Sequence, residues 1–122
     1  WTFECINCQH VQPYIQAWHA RYRDDGLVVL SIHTPEFSVE ADPRNVAEYV
    51  TAHQITYPVA LDPHSRVWRA FGNHYWPARY LHDQQGRRRF TQIGEGEYPE
   101  TEDAIRLLLE LPSGAPRATA AG

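Results

Sequence analysis

Four segments of the chain repeat apolar residues at intervals of three and four, which is the spacing of one helix face. Asp42 with Pro43 and Asp62 with Pro63 are suitable starts for the second and third of these helices, and the fourth follows Pro99. The inward residues are, in chain order, Val11, Tyr14, Ile15, Trp18 and Tyr22; Val46, Tyr49 and Val50; Val67, Trp68 and Phe71; Ile105, Leu108 and Leu109. The pattern therefore predicts four helices that each bury one face.

Short apolar runs between these helices suit β-strands. Residues 27–32 are almost all apolar, as expected of a parallel strand covered on both faces, and residues 56–61 form a second run of this kind. Residues 78–83 and 88–93 are strand-like and are joined by the turn at 84–86, which suits a tight hairpin. The order helix, strand, helix, strand, helix, hairpin, helix predicts an α/β fold with a mostly parallel sheet and an antiparallel edge.

The length of 122 residues favours one compact domain, which we place at residues 1–111. Residues 112–122 are rich in Pro, Gly and Ala and cannot bury enough surface to order themselves, so they are predicted to be a flexible tail or linker. A helix that opens with a reactive cysteine pair normally follows a strand, and no strand precedes this one. We therefore expect that an N-terminal strand is missing from the sequence.

Composition argues against several functional classes. The formal net charge is -4, so no basic field favours nucleic acid. No apolar run approaches the roughly 18 residues of a membrane span. All eleven basic residues are arginine and methionine is absent, which removes lysine nucleophiles and thioether metal ligands.

The chain has two cysteines, Cys5 and Cys8, at the predicted start of the first helix. Thiol–disulfide exchange needs an attacking thiolate and a second thiol that resolves the mixed disulfide. Free backbone N–H groups and the positive end of the helix dipole lower the pKa of a thiol there from about 8.5 to roughly 3.5–7.5. Glu4 opposes this effect, because a nearby negative charge disfavours the thiolate. The pair predicts redox chemistry with Cys5 at the helix end and Cys8 one turn behind it.

Several segments together resemble a known family. Residues 1–8, followed by Pro13, resemble the active-site helix of thioredoxin-like proteins, which a proline bends. The C-I-N-C centre fits the DipZ branch of the TlpA-like thioredoxins, and the likeness runs from Trp1 to about Leu111. Four further segments look like that branch: 33–37 (HTPEF), 57–62 (YPVALD), 75–78 (YWPA) and 94–98 (GEGEY).

The resemblance implies a thioredoxin-like fold with a central mixed sheet, flanking helices and the helix–strand insertion of TlpA-like proteins. It also implies a thiol–disulfide oxidoreductase of the periplasm or cell envelope, tethered to the membrane through a part that precedes Trp1. DipZ proteins join such a domain to a membrane-embedded electron-transfer domain of the CcdA type. The expected partners are therefore disulfide-containing proteins and a CcdA-like donor, and the expected direction is reduction. We expect a monomeric domain of a larger protein without cofactor or metal, in which residues 112–122 lead to a further domain.

Further site residues follow from the resemblance. Pro77 would match the cis-proline that faces the cysteine pair, and Trp76 would offer its backbone to the substrate by strand addition. Trp76 is bulkier than the usual residue there, so we expect it to restrict access. Ile6 and Asn7, between the cysteines, would contact the substrate and tune the redox potential. Glu36 would take up the proton of the resolving thiol if burial raised its pKa; a solvated loop acid is the alternative.

Two functions of other classes stay open. A metal-binding module could use Cys5, Cys8 and one of His10, His33 or His74 for copper or zinc, although the histidines lack the spacing of a zinc site. The domain could also be a binding scaffold with an inert disulfide. A peroxidase of the peroxiredoxin kind is less favoured, because that chemistry uses a lone cysteine in a turn lined by Pro and Thr. Metal content and turnover of a disulfide substrate distinguish these functions.

Overall fold

A computed structural model describes residues 1–119, in which four α-helices accompany two small β-sheets. The predicted order of helices, strands and hairpin is confirmed. Within these residues, no helix combines the length and apolar character that crossing a bilayer requires. The elements are α1 (Ile6–Tyr22), β1 (Ser31–His33), α2 (Pro43–Ala52), β2 (Val59–Leu61), α3 (Arg66–Ala70), β3 (Ala78–His82), β4 (Arg88–Ile93) and α4 (Tyr98–Leu108), with 3-10 turns at Arg23–Asp25 and Ser38–Ala41.

Carboxylates cap the second and third helices. Asp42 accepts the backbone N–H of Arg44 at 2.9 Å at the start of α2, as the sequence predicts. Asp62 accepts two backbone N–H groups in the first turn of α3, at 3.1 and 3.0 Å. That helix begins at Arg66 rather than directly after Pro63, so Asp62 caps it from farther back than predicted. Each such cap contributes about 1 kcal/mol of stability.

The sheets are smaller than the sequence predicts. β1 pairs in parallel with β2, β3 pairs antiparallel with β4, and no ladder joins the two sheets in the described part of the chain. The predicted strand at 27–32 is regular only from Ser31 onward, and Val28 and Leu30 are 73% and 70% exposed. β2 likewise covers only the second half of its predicted run. These apolar residues are exposed because no described strand pairs with them.

An apolar groove of about 880 Å³ lies between the two sheets, lined by residues of the β1 segment and of β3. The backbone of Trp1 borders it and pairs with β1. Its nitrogen donates to the carbonyl of Ile32 at 3.1 Å, and its carbonyl accepts the N–H of Thr34 at 2.9 Å. This is the pattern of a parallel bridge. Trp1 thus makes one parallel bridge to β1, but residues 1–5 form no regular strand, and the expectation of a missing N-terminal strand stays a prediction.

The main buried cluster lies between α1 and α4 and contains Trp18, Tyr22 and Ile105. Burying an apolar side chain of this size contributes about 1.5–3 kcal/mol. Gly26 ends the turn that follows α1 with φ +111°, a conformation that favours glycine. This turn returns the chain toward β1, while α1 keeps its apolar face against α4.

Two buried charged residues at this end of the core are linked through the Tyr22 hydroxyl and contact the C-terminal segment. Glu102 and Arg106 of α4 are 8% and 7% exposed. The Tyr22 hydroxyl donates to Glu102 at 2.5 Å, and Arg106 donates to the same hydroxyl oxygen at 3.0 Å. The backbone N–H of Ala118 donates to Glu102 at 2.7 Å. The guanidinium of Arg106 also donates to the backbone carbonyls of Pro112, Ser113, Ala115 and Pro116.

The predicted tail at 112–122 thus has a described part, residues 112–119, that lies along α4. Residues 120–122 lie outside the described residues. The flexibility of this segment, and its role as a linker, stay predictions.

Candidate active site

The first turn of α1 holds both cysteines. Cys5 is the N-cap residue, with extended backbone (φ −77°, ψ 116°), and its Sγ accepts the backbone N–H of Cys8 at 3.2 Å. Cys5 is partly exposed, whereas Cys8 is only 5% exposed, and both are free thiols. Ile6 and Asn7, between them, are exposed. The site therefore presents one accessible sulfur at the helix end and one buried sulfur behind it.

Burial sets the chemical state of Cys8. It raises the pKa of the Cys8 thiol to about 12, and a hydrogen bond with the side chain of Cys5 acts in the same direction. The backbone amide of Thr2 opposes this rise. Because the thiolate is the nucleophilic form of cysteine, Cys8 must lose a proton before it can attack. The two sulfurs are thus suited to different steps.

His33, at the end of β1, holds the residues that precede Cys5. Its Nε2 accepts the backbone N–H of Phe3 at 3.3 Å and lies 3.2 Å from the hydroxyl oxygen of Thr2. The ring packs edge-on to Trp1 and stacks on Phe3, with centroid distances of 4.9 and 5.6 Å. An accepting ring nitrogen requires neutral imidazole, and burial lowers the pKa of His33 to about 4. His33 therefore acts as a neutral acceptor.

Glu40 is a carboxylate that is only 1% exposed and faces the same loop. Its Oε2 accepts the backbone N–H of Glu4 at 3.0 Å, and its Oε1 accepts those of Glu36 and Phe37 at 3.0 and 2.9 Å. Burial raises the pKa of Glu40, but hydrogen bonds from the Thr2 side chain and from these backbone groups outweigh burial and lower it overall. Its partners among residues 1–119 are hydrogen-bond donors rather than cationic side chains.

Glu36 is not buried near the cysteines, as its predicted role as proton acceptor of the resolving thiol would require. Glu36 is exposed, and its backbone N–H rather than its carboxylate takes part in the cluster around Glu40. The exposed position matches the solvated alternative. The buried acid beside the cysteine loop is Glu40, which the sequence analysis missed. A catalytic role of Glu36 stays a prediction.

The Trp76–Pro77 peptide bond is cis, the form that the resemblance implies. Pro77 is buried and directly precedes β3. The indole N–H of Trp76 donates to the carbonyl of Thr34 at 2.8 Å, and the ring packs on Trp68 with a centroid distance of 4.1 Å. The indole is therefore tied to the segment that follows β1. Contacts of Trp76, Ile6 and Asn7 with a substrate stay predictions.

The histidines considered as third metal ligands are occupied elsewhere or exposed. Nδ1 of His10 lies 2.9 Å from Oε1 of Glu95 on the surface. Nε2 of His33 accepts a backbone N–H, and His74 is exposed. Nowhere in the described part of the chain do three His, Cys, Asp or Glu side chains converge as a metal site requires. The donor set around the cysteines thus fits a dithiol better than a metal centre.

The chain is similar in sequence and fold to known proteins. Residues 1–90 match the family model described as AhpC/TSA family. The chain belongs to the AhpC/TSA family. It is 44% identical over 109 residues to protein DipZ of Mycobacterium bovis, which covers 89% of this chain and 16% of DipZ. It is 32% identical over 109 residues to thiol-disulfide oxidoreductase YkuV of Bacillus subtilis, which covers 89% of this chain and 73% of YkuV.

A solved structure shows the same fold. A thioredoxin-like protein in the oxidised form superposes with a TM-score of 0.81 at 29% identity, covering 92% of this chain and 76% of that chain. The predicted thioredoxin-like fold and the resemblance to the DipZ branch are therefore confirmed. Relatives of this AhpC/TSA-family chain are named thiol–disulfide oxidoreductases, in line with the predicted activity. It spans only 16% of the length of DipZ.

The stability of this family member is expected to rise with pH between about 4 and 6.5 because of His33. Its pKa is about 4 when folded and about 6.5 when unfolded, so the unfolded chain binds more protons in this window and acid favours unfolding. The full effect is about 3 kcal/mol. Urea unfolding across this pH range measures this change in the free energy of unfolding.

The variant His33→Gln keeps an acceptor for Phe3 but does not titrate, so it should flatten the rise of stability with pH. The exposed control His74→Gln should leave the slope intact, and an unchanged slope in His33→Gln would contradict the assignment.

Proposed function

We propose that this chain exchanges thiols and disulfides with protein substrates through Cys5 and Cys8, mainly as a reductase. One observation carries the proposal: the partly exposed sulfur of Cys5 accepts the backbone N–H of Cys8 at the start of α1, with the buried Cys8 thiol behind it. A helix N-terminus stabilises negative charge on a sulfur at that position. A second thiol in the same turn can close a disulfide with the first.

In the reductive direction, the Cys5 thiolate attacks one sulfur of a substrate disulfide. A mixed disulfide forms, and the other substrate sulfur leaves as a thiolate that takes up a proton. Cys8 then loses its proton and attacks Sγ of Cys5. The mixed disulfide breaks, the second substrate sulfur leaves as a thiolate and is protonated, and a Cys5–Cys8 disulfide remains. The substrate has gained two electrons and the dithiol has lost two.

The resemblance to the DipZ branch supports the remaining parts of the proposal. The substrates would be disulfide-containing proteins outside the cytoplasm, in periplasm or cell envelope. Their backbone would pair beside Trp76 and Pro77, whose peptide bond is cis. A CcdA-like membrane domain would return two electrons to the Cys5–Cys8 disulfide, and this chain would be a monomeric domain of the larger protein.

Reduction of insulin tests the proposal. With dithiothreitol as electron source, the chain should accelerate insulin reduction at least tenfold over dithiothreitol alone. The double variant Cys5→Ser/Cys8→Ser should give no acceleration. Failure to accelerate by a folded chain with two titratable thiols would favour the inert scaffold, and stoichiometric copper or zinc in the purified protein would favour the metal module.

The reduction potential tests the direction of electron flow. Equilibration with a glutathione buffer of known composition, followed by thiol alkylation and mass measurement, gives the potential of the Cys5–Cys8 couple. A value at or below the range of glutaredoxins, about −200 to −230 mV, is expected of a reductase. A value near about −120 mV, as in strongly oxidising proteins, would overturn that direction.

A further inference from the structure

The carboxylate of Glu40 joins two backbone segments that are distant in sequence. Its bonds to the N–H groups of Glu36 and Phe37 are local, because all three residues belong to one turn. Its bond to the N–H of Glu4 spans 36 residues and reaches the residue directly before Cys5. The turn at residues 36–41 forms without this long-range bond. Losing the bond to Glu4 would therefore loosen the loop that carries Cys5 rather than the turn.

The bond to Glu4 is also the strongest of those that hold this loop by its N–H groups. It measures 3.0 Å, whereas the N–H groups of Phe3 and Cys5 make bonds of 3.3 Å each. An ionised acceptor makes a hydrogen bond roughly twice as strong as a neutral one. The acceptors of the other two bonds, His33 Nε2 and the carbonyl of Thr2, are neutral. Among the bonds that the N–H groups of Phe3, Glu4 and Cys5 make, the one to Glu40 therefore contributes most to the position of the main chain entering Cys5.

We propose that Glu40 is a positioning residue for the dithiol, which fixes the main chain before Cys5 so that its sulfur stays opposite Cys8. The inference rests on the proposed function of the cysteine pair and deepens it. A disulfide forms only when the two Cβ atoms lie about 3.5–4.5 Å apart, so a looser loop lowers the effective concentration of one thiol toward the other. Glu40 thereby favours closure of the Cys5–Cys8 disulfide without touching the reacting atoms.

The variant Glu40→Gln tests this role. The carboxamide has nearly the same size, but it offers one acceptor oxygen and places an N–H₂ group against backbone donors. It therefore loses either the bond to Glu4 or the bonds to the turn. We expect the equilibrium constant for closing the Cys5–Cys8 disulfide against glutathione to fall at least tenfold, which corresponds to about 30 mV. Glu48→Gln removes the same charge at an exposed position of α2 and should change the constant less than twofold.

A second measurement uses the unmodified chain, so it tests the role of Glu40 even if Glu40→Gln does not fold. If the Glu40 bond favours the disulfide, the disulfide must strengthen the bond to the same extent, because coupling is reciprocal. The amide of Glu4 in the unmodified chain should therefore exchange hydrogen more slowly in the oxidised form than in the reduced form. Faster exchange in the oxidised form, an equal rate in both forms, or a change below twofold in Glu40→Gln would overturn the proposal.

The glutathione equilibrium separates this inference from the proposed function. It requires two thiols that can pair but no turnover on a protein substrate. If the unmodified chain does not reduce insulin, the proposed function fails, and the comparison of Glu40→Gln with Glu48→Gln still decides the role of Glu40.

Discussion

Replacing Cys8 by serine is expected to leave the chain covalently joined to its substrate, whereas replacing Cys5 abolishes exchange. The partly exposed sulfur of Cys5 can reach a substrate disulfide and form the mixed disulfide. Cys8 is buried, and the pKa of its thiol is raised to about 12, so it does not start the reaction but resolves it. Turnover should fall by roughly 10³-fold or more in either variant, as in enzymes that lose a covalent nucleophile.

Because turnover falls in both variants, Cys5→Ser and Cys8→Ser are distinguished by whether a mixed disulfide with the substrate accumulates. Incubation with an oxidised protein substrate, followed by acid quenching and non-reducing electrophoresis, should show a mixed disulfide with Cys8→Ser and none with Cys5→Ser. Mass measurement should assign the new bond to Cys5. A trapped complex with Cys5→Ser alone would reverse the assignment of attacking and resolving sulfurs.

Replacing Arg106 by methionine is expected to lower the free energy of unfolding by about 1–3 kcal/mol, the usual cost of leaving buried hydrogen-bond acceptors without a donor. The guanidinium donates to the hydroxyl oxygen of Tyr22 and to backbone carbonyls of residues 112–116, whereas Glu102 has an ion pair of its own with Arg117 at 3.7 Å. Methionine fills similar space but leaves these acceptors unpaired. Denaturant unfolding with an unchanged m-value measures the loss.

Two further variants control for side-chain size and for charge. Arg69→Met, at an exposed position of α3, should change stability by less than about 1 kcal/mol. The double variant Glu102→Gln/Arg106→Met also removes the carboxylate that Arg117 pairs with at 3.7 Å, so it should be no more stable than Arg106→Met alone. If Arg106→Met is as stable as the unmodified chain, Arg106 does not stabilise this region.

Local patterns were sufficient for most of the fold. The Cys5 cap, Asp42 before α2 and the hairpin at 78–93 depend on residues a few positions apart, and the structure confirms each of them. The strand predicted at 27–32 failed over its first four residues, because an apolar run predicts burial on both faces but cannot supply the neighbouring strand. The pattern of apolar residues along the chain identifies a strand, but the length of the strand depends on a neighbouring strand that the pattern does not reveal.

The supports of the candidate site could not be predicted in the same way. Glu40 resembles any acid in a polar loop, and its decisive partner is 36 residues away. His33 faces the loop before Cys5 across 30 residues and was considered only as a metal ligand. Glu102 and Arg106 have the spacing of an ordinary helix-surface pair, and their burial depends on Tyr22, 80 residues from Glu102. Long-range polar contacts of this kind leave no periodic signal.

The hydrogen bonds between Arg106 and the backbone carbonyls of residues 112–116 also bear on how the molecule can be attached to a solid support. Arg21, near the end of α1, donates to the carbonyl of Pro116, so this segment lies at the helix end opposite to Cys5. Sixteen residues of helix separate Arg21 from Cys5, which corresponds to about 24 Å. Coupling this chain to a resin or an electrode through residues 112–119 should therefore leave the end of α1 that carries Cys5 and Cys8 facing free solution.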